Sequence, residues 1–306
     1  MNDHNIIIVG GGAAGMTAAV YAANAGMKAI VIEGEFVGGQ IVNAPKVTNF
    51  PGFDEISGYE IGERLRSQAE KSGAEIISDR VSKVSVTDGG FSVKCRRAEY
   101  AADAVILALG TRPRKLGLPE EEKFSGKGIS FCAYCDGGFY RGKTVVVAGG
   151  GNTALYDAAY LSKVCGKVLL VHRRDEFRGD MTAVERLKAS GNVEIFTSKT
   201  IKQIIGSDRV EGVLLSDANG GEDMKLSADG IFIAMGRIPG TGDIILPDAL
   251  DTDENGYIKC GEDCVTSVPG LFAAGDCRTK SLRQLVTAAA DGAYAGANAA
   301  AYCRQK

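Results

Sequence analysis

No sign of charge dominates this 306-residue chain: 35 Lys and Arg face 38 Asp and Glu, a formal net charge of −3. Nucleic-acid binders usually carry a basic surface, so this balance argues against that class. The one basic knot, His172-Arg173-Arg174, is too local to make such a face. A long apolar run is missing as well. The start, Met1-Asn2-Asp3-His4-Asn5, has no basic region and leads into a short apolar stretch without a small-residue cleavage site, so no secretory leader is expected. The alanine-rich stretch from Leu285 to Tyr302 is broken by Asp291 and by glycines, which speaks against a membrane span. The expected location is the cytoplasm, with no membrane partner.

Cysteine is present eight times but without framework spacing: only Cys132/Cys135 and Cys260/Cys264 are close neighbours. Without a leader, a secreted disulfide scaffold is not expected. A four-thiolate zinc site from those two pairs would match no common zinc module, so no metal is expected. Cys95, Cys165 and Cys277 read as small packing residues and Cys303 as an exposed one.

What the chain does have is two glycine-rich turns with a Cys-x-x-Cys just upstream of the second. The first turn runs Gly10-Gly11-Gly12-Ala13-Ala14-Gly15 and the second Gly149-Gly150-Gly151-Asn152-Thr153-Ala154. Each follows a β-branched strand (Ile6 to Val9; Thr144 to Val147) and opens an alanine-rich helix. Each is followed by a second strand, Ala29 to Ile32 or Val168 to Val171. Alternating segments, Val81 to Val86 and Phe91 to Cys95, then predict an antiparallel meander, with Glu194 to Phe196 and Val213 to Leu215 in that part of the second half.

Each half closes on a matching strand and turn, Asp103 to Pro113 with Gly110 and Asp229 to Pro239 with Gly236. Near-continuous apolar strands of this kind are buried on both faces. The repeat therefore predicts an α/β chain of two Rossmann-like, three-layer dinucleotide-binding domains, the second inserted in the first. Leu271 to Ala274, followed by Gly275-Asp276 and a long helix, is expected to return to the first domain. The expected boundaries are residues 1–114 with 244–306 for the first domain and 115–243 for the second. Paired linkers near residues 114 and 243 suit relative rotation of the two.

Gly10, Gly12 and Gly15 let the backbone approach a pyrophosphate at a helix N-terminus. Glu33, ending the second strand, would accept hydrogen bonds from ribose hydroxyls. In the second half, at the same offset from Gly149, stands His172, followed by Arg173, Arg174 and Arg178. A carboxylate there would repel a 2′-phosphate, whereas guanidinium groups bind it bidentately. The second site is therefore expected to prefer NADPH.

At this point the chain resembles the low-molecular-weight, bacterial-type thioredoxin reductases over nearly its whole length. Cys132-Ala133-Tyr134-Cys135-Asp136-Gly137 is similar to the active-site box of that family, and His172-Arg173-Arg174 with Arg178 to its NADPH-phosphate box. Gly38-Gly39-Gln40 and Asn49-Phe50-Pro51-Gly52 resemble its early flavin loops; Gly275-Asp276 and Arg283-Gln284 resemble its C-terminal flavin contacts. The resemblance implies FAD in the first site, a homodimer, and thioredoxin as partner. It further implies that Cys135 faces the flavin and that Cys132 attacks the substrate, with Asp136 beside them exchanging protons. The chain departs from the family at Gly240, where Asn is usual, at Leu109, where Thr is usual, and at Leu155-Tyr156-Asp157, where the helix start is usually more acidic. The alternative is a dithiol reductase for another redox protein, or a ferredoxin-linked relative. The nicotinamide motifs speak against the ferredoxin branch.

Overall fold

The computed structural model describes residues 4–44, 46–177 and 179–306. By internal contacts the chain separates into two compact units, Met1–Arg112 with Ile238–Lys306, and Pro113–Arg237.

Unit one opens with β1 (His4–Val9), α1 (Ala13–Asn24) and β2 (Ala29–Glu33), then α2 (Gly58–Lys71), β3 (Glu75–Ser78), β4 (Val81–Thr87), β5 (Gly90–Cys95) and β6 (Glu99–Leu107). A short strand, β7 (Thr111–Pro113), leads out of it. Unit two holds β8 (Ile129–Ser130), α3 (Ala133–Asp136), β9 (Thr144–Ala148), α4 (Asn152–Ser162), β10 (Lys167–Val171), α5 (Met181–Ala189) and β11 (Val193–Phe196). It continues through β12 (Lys199–Ile205), β13 (Gly212–Asp217), β14 (Met224–Ser227) and β15 (Gly230–Ile233), and β16 (Arg237–Pro239) leads back. β17 (Leu271–Ala273) and α6 (Leu285–Arg304) complete unit one.

In unit one the sheet order is β3-β2-β1-β6, with β17 on the far side of β6 and the β5-β4 hairpin extending from β6. The pairs β1·β2, β1·β6 and β6·β17 are parallel. Ile6, Ile7 and Ile8 are fully buried on both faces of the sheet, as parallel strands require. α1 and α6 cover one face. They approach closely because Gly292 and Gly296 carry no side chain: a Cβ there would lie 2.2 Å from Ala14 O or 2.5 Å from Ala18 O.

In unit two the order is β11-β10-β9-β15-β8, all parallel. β12, β13 and β14 form a separate antiparallel sheet. One expectation is corrected here. Glu194 to Phe196 is not part of the meander; as β11 it pairs in parallel with β10, Val171 opposite Phe196. Its companion segment, Val213 to Leu215, does sit in the meander as β13. Alternation in a four-residue strand cannot distinguish a parallel edge from a meander strand, because partner direction is a non-local property.

Candidate active site

The first glycine turn is fixed by two strands. Gly10 N donates to Ile32 O at 2.9 Å, and Ala108 N donates to Val9 O at 2.8 Å. Gly10 has φ +106, and a Cβ on it would sit 2.3 Å from Ala108 O; one on Gly15 would sit 1.9 Å from Gly10 O. The turn admits no side chains at these points, which leaves its backbone open to a ligand. Ala13 and Ala14 start α1 from it. Beside the turn is a cleft of about 360 Å³, lined by Gly10, Gly12, Glu33, Gly39, Gln40 and Gly110 among others. Six of the residues singled out by sequence meet there. Glu33 accepts from Gly11 N at 2.6 Å through Oε2 and from Glu35 N at 2.7 Å through Oε1. Each oxygen keeps a further lone pair for a ribose hydroxyl. Cleft and donor set fit a dinucleotide.

The C-terminal return brings further residues to this unit. Asn49 Nδ2 donates to Gln284 Oε1 at 3.0 Å, tying the early loop to the start of α6. Gly275 and Asp276 follow β17 in a short turn. Arg283 Nε donates to Asp276 O at 3.3 Å, with its guanidinium 4.2 Å from the Tyr257 ring centre. Two departures from the family pattern turn out to be neighbours: a Cβ on Gly240 would lie 2.6 Å from Leu109 O and 3.0 Å from Leu109 Cβ. The backbone carbonyl at 109, present whatever residue stands there, leaves no room for a side chain at 240 without a shift.

The second turn repeats the first. Gly149 N donates to Val171 O at 3.0 Å, and Ala234 N donates to Ala148 O at 2.8 Å. A Cβ on Gly149 would lie 2.3 Å from Ala234 O. Gly151 precedes α4, which Asn152, Thr153 and Ala154 begin; Asn152 Oδ1 accepts from Asp180 N at 2.8 Å. Gly236, φ +91, closes the unit. The His172 ring lies under the turn, so that a Cβ on Gly150 would be 2.0 Å from its Nδ1. His172 is 8% exposed, its Nε2 is 3.0 Å from Glu176 O, and its ring stacks on Phe177 at 5.0 Å. Arg173 is exposed and Arg174 half-buried; Arg178 lies outside the described residues.

Cys132 and Cys135 form a disulfide, with Cα atoms 5.3 Å apart. Cys132 caps the short helix α3, and its Sγ accepts the Cys135 N–H at 3.2 Å. Asp136 Oδ2 accepts from Ser130 Oγ at 2.7 Å, while Cys132 N donates to the same hydroxyl at 3.1 Å. Ser130, 3% exposed, thus links the acid to the disulfide. The sequence reading missed it; the only signal was a hydroxyl residue two places before the first cysteine. Tyr134 is exposed and rests on Tyr160, ring centres 4.4 Å apart.

The remaining six cysteines are free. Burial raises the Cys95 pKa to about 11 and those of Cys264 and Cys277 to about 12, so their thiols stay protonated and unreactive at neutral pH. Cys303, expected to be exposed, is half-buried against Asn5 O, 3.6 Å from its Sγ.

A duplicated parallel-sheet fold with two glycine cradles and a disulfide at a strand end defines a dinucleotide-dependent oxidoreductase acting on disulfides. The chain belongs to the pyridine nucleotide-disulphide oxidoreductase family, whose profile matches residues 4–292. It is 41% identical over 301 residues to a thioredoxin reductase of Treponema pallidum, covering 98% of this chain and 97% of that one. Its fold matches the crystal structure of thioredoxin reductase from Streptococcus pyogenes with a TM-score of 0.87, at 38% identity and 99% coverage of both chains. A thioredoxin reductase from Giardia duodenalis also gives 0.87, at 36% identity and 98% coverage of each chain. Among the described residues no helix is long and apolar enough to cross a membrane.

Proposed function

We propose that the chain is an NADPH-dependent thioredoxin reductase acting as a cytoplasmic homodimer. Residues 1–114 and 244–306 would hold FAD, and residues 115–243 would hold NADPH and carry the dithiol. The observation that carries this reading is the Cys132–Cys135 disulfide, set at a strand end in the unit whose acidic ribose position is replaced by His172-Arg173-Arg174. Bound FAD would supply the two-electron relay between NADPH and the disulfide.

The protein's own residues would act as follows. Gly10, Gly12, Ala13, Ala14 and Gly15 take the first pyrophosphate, with Glu33 on the ribose. Gly39, Gln40, Asn49, Gly110, Gly275, Asp276, Arg283 and Gln284 surround the rest of that cofactor. Gly149, Gly151, Asn152, Thr153 and Ala154 take the second pyrophosphate, with Gly236 beside them. His172 shapes the second turn from beneath, while Arg173, Arg174 and Arg178 receive the 2′-phosphate.

Once the pair is reduced, the Cys132 thiolate attacks one sulfur of oxidised thioredoxin. A mixed disulfide forms and the partner's other sulfur leaves as a thiolate, which takes up a proton. The Cys135 thiolate then attacks Cys132 Sγ. This closes the Cys132–Cys135 bond and frees the second partner sulfur, which is protonated in turn. Asp136, held by Ser130, would give and take these protons.

Anaerobic titration with NADPH, followed by flavin absorbance, tests the reading. Bleaching that oxidised thioredoxin reverses is the expected result. A protein that binds no flavin, or stays bleached with every thioredoxin supplied, would overturn it.

A further inference from the structure

Behind the Gly275–Asp276 turn lies a buried group of charges that the scheme above does not use. Arg278 and Asp291 are 7% and 5% exposed. They are joined by two bonds, Nε to Oδ2 at 2.8 Å and Nη2 to Oδ1 at 2.7 Å. Lys280, with its side chain 8% exposed, places Nζ 2.7 Å from Asp291 Oδ2 and 3.2 Å from Thr287 O. Gly275 N donates to Asp291 Oδ2 at 2.9 Å. A single carboxylate on α6 therefore holds the backbone and both cations of one loop.

This cluster abuts the residues assigned to the first cofactor. A Cβ on Gly275 would be 2.9 Å from Ala14 Cβ, in the first turn of α1. Gly292, next to Asp291 in sequence, packs against Ala14 O. Burial pushes the Asp291 pKa up, but the bonds from Arg278 and Lys280 outweigh it and hold the carboxyl below its usual range. The same pairing raises the Arg278 pKa. Cys260 and Cys264, nearby, are neutral, their pKa values raised to about 11 and about 12 by burial. Of the other charges on the loop, Asp276 and Arg283 are opposite in sign. The exposed Asp263 lies toward Cys260, so among the buried side chains of the cluster one positive charge remains in excess.

An uncompensated buried cation is costly. A single Arg–Asp pair would lock the turn as well; the third charge, though bonded to Asp291, leaves the triad net positive beside the turn assigned to the cofactor. A flavin becomes more negative on reduction whenever electrons outnumber the protons taken up, and nearby protein charge tunes its potential. We propose that Asp291 is the positioning residue of the Gly275–Asp276 turn and that the surplus charge of the Arg278–Asp291–Lys280 triad raises the electron affinity of the flavin. The inference rests on the assignment of flavin to this unit.

The test is anaerobic equilibration of the holoprotein with a two-electron dye, in a Cys132→Ser, Cys135→Ser background so that only flavin exchanges electrons with it. Lys280→Met keeps the Arg278–Asp291 pair and the aliphatic stem. It should move the flavin–dye equilibrium about tenfold toward oxidised flavin, equivalent to ~30 mV. Lys280→Arg should restore the parent value, and Lys71→Met, on the exposed face of α2, should leave it unchanged. Asp291→Asn should lower the flavin retained per chain after gel filtration. If Lys280→Met does not fold, Lys280→Gln serves in its place. A yellow Lys280 variant with the parent equilibrium would overturn the triad's role and leave the flavin assignment standing. A parent protein without flavin would remove both.

Discussion

The two units share one frame and differ at a few points that divide the work between them. Val9 lies opposite Ile32 and Leu107, as Ala148 lies opposite Val171 and Ile233. Gly10 and Gly149 make the same backbone contact with the ends of β6 and β15. At the end of the second strand an acid, Glu33, braces the first turn, whereas His172 fills the space below the second. The outer strand differs as well. β17 pairs with β6 and leads into Gly275-Asp276, while β8 pairs with β15 and leads into Cys132. The carboxyl end of one strand position thus presents a polar turn in one unit and the redox sulfurs in the other. Ligands of open α/β sheets gather at those ends, so a duplicated fold could gain a dithiol without changing its core.

Replacing a sulfur should break this division most severely. Cys135→Ser should cut NADPH-dependent disulfide reduction by about a thousandfold or more while flavin content stays at one per chain. Absorbance of the purified variant and dye reduction give the two readings. Loss of flavin along with activity would mean that the strand end in unit two serves cofactor binding instead.

The helix starts come next. Gly15 and Ala154 occupy the same place, yet only the first is closed to a methyl group. Gly15→Ala should destabilise unit one by about 3 kcal/mol, because its Cβ meets Gly10 O with nowhere to move. Ala154→Gly should cost only about 1 kcal/mol, from helix propensity. Denaturant melts of the two variants check the contrast, and equal losses would contradict it.

Much of this was readable in the chain because both turns demand glycine at fixed offsets and both cores are written as β-branched runs. The offset that aligns Glu33 with His172 in sequence is the one that places both side chains against the glycine turns. What escaped depends on distant partners. β8 has two residues, Ile129 and Ser130, too few to show a period, and its direction is set by β15 about a hundred residues later. Ser130 escaped for the same reason, since its bond to Asp136 forms only when that strand end meets α3. The Arg278–Asp291–Lys280 cluster was invisible because Asp291 reads as a helix-breaking polar residue until α6 packs over the loop.

The basic cluster provides a sharper comparison. Arg174→Ala should raise the KM for NADPH by about 10–100-fold, the loss of one or two charge-assisted bonds, and leave the KM for NADH nearly unchanged. Steady-state kinetics with both nucleotides measure this. An equal rise for both would assign Arg174 to the turn itself and not to the 2′-phosphate.

The smallest effect concerns another matched pair, Ala18 in α1 and Asp157 in α4, which stand at the same step after their glycine turns. Ala18 is fully buried beneath α6, whereas Asp157 buries a carboxyl, 8% exposed, at the same step of α4. Burial raises its pKa to about 6 from the ordinary carboxyl value of 3.8. The folded state then binds more protons than the unfolded chain between those pH values, so stability is greatest at the acid side and falls as pH rises toward neutrality. The gap of about two pH units would be worth about 3 kcal/mol for full removal of the charge. Asn at 157 is also polar and buried, so Asp157→Asn should gain only about 1 kcal/mol at pH 8 and nothing near pH 4. Urea melts of both proteins across that range read the difference directly. A gain that persists unchanged at pH 4 would show that packing, and not the charge, separates this position from Ala18.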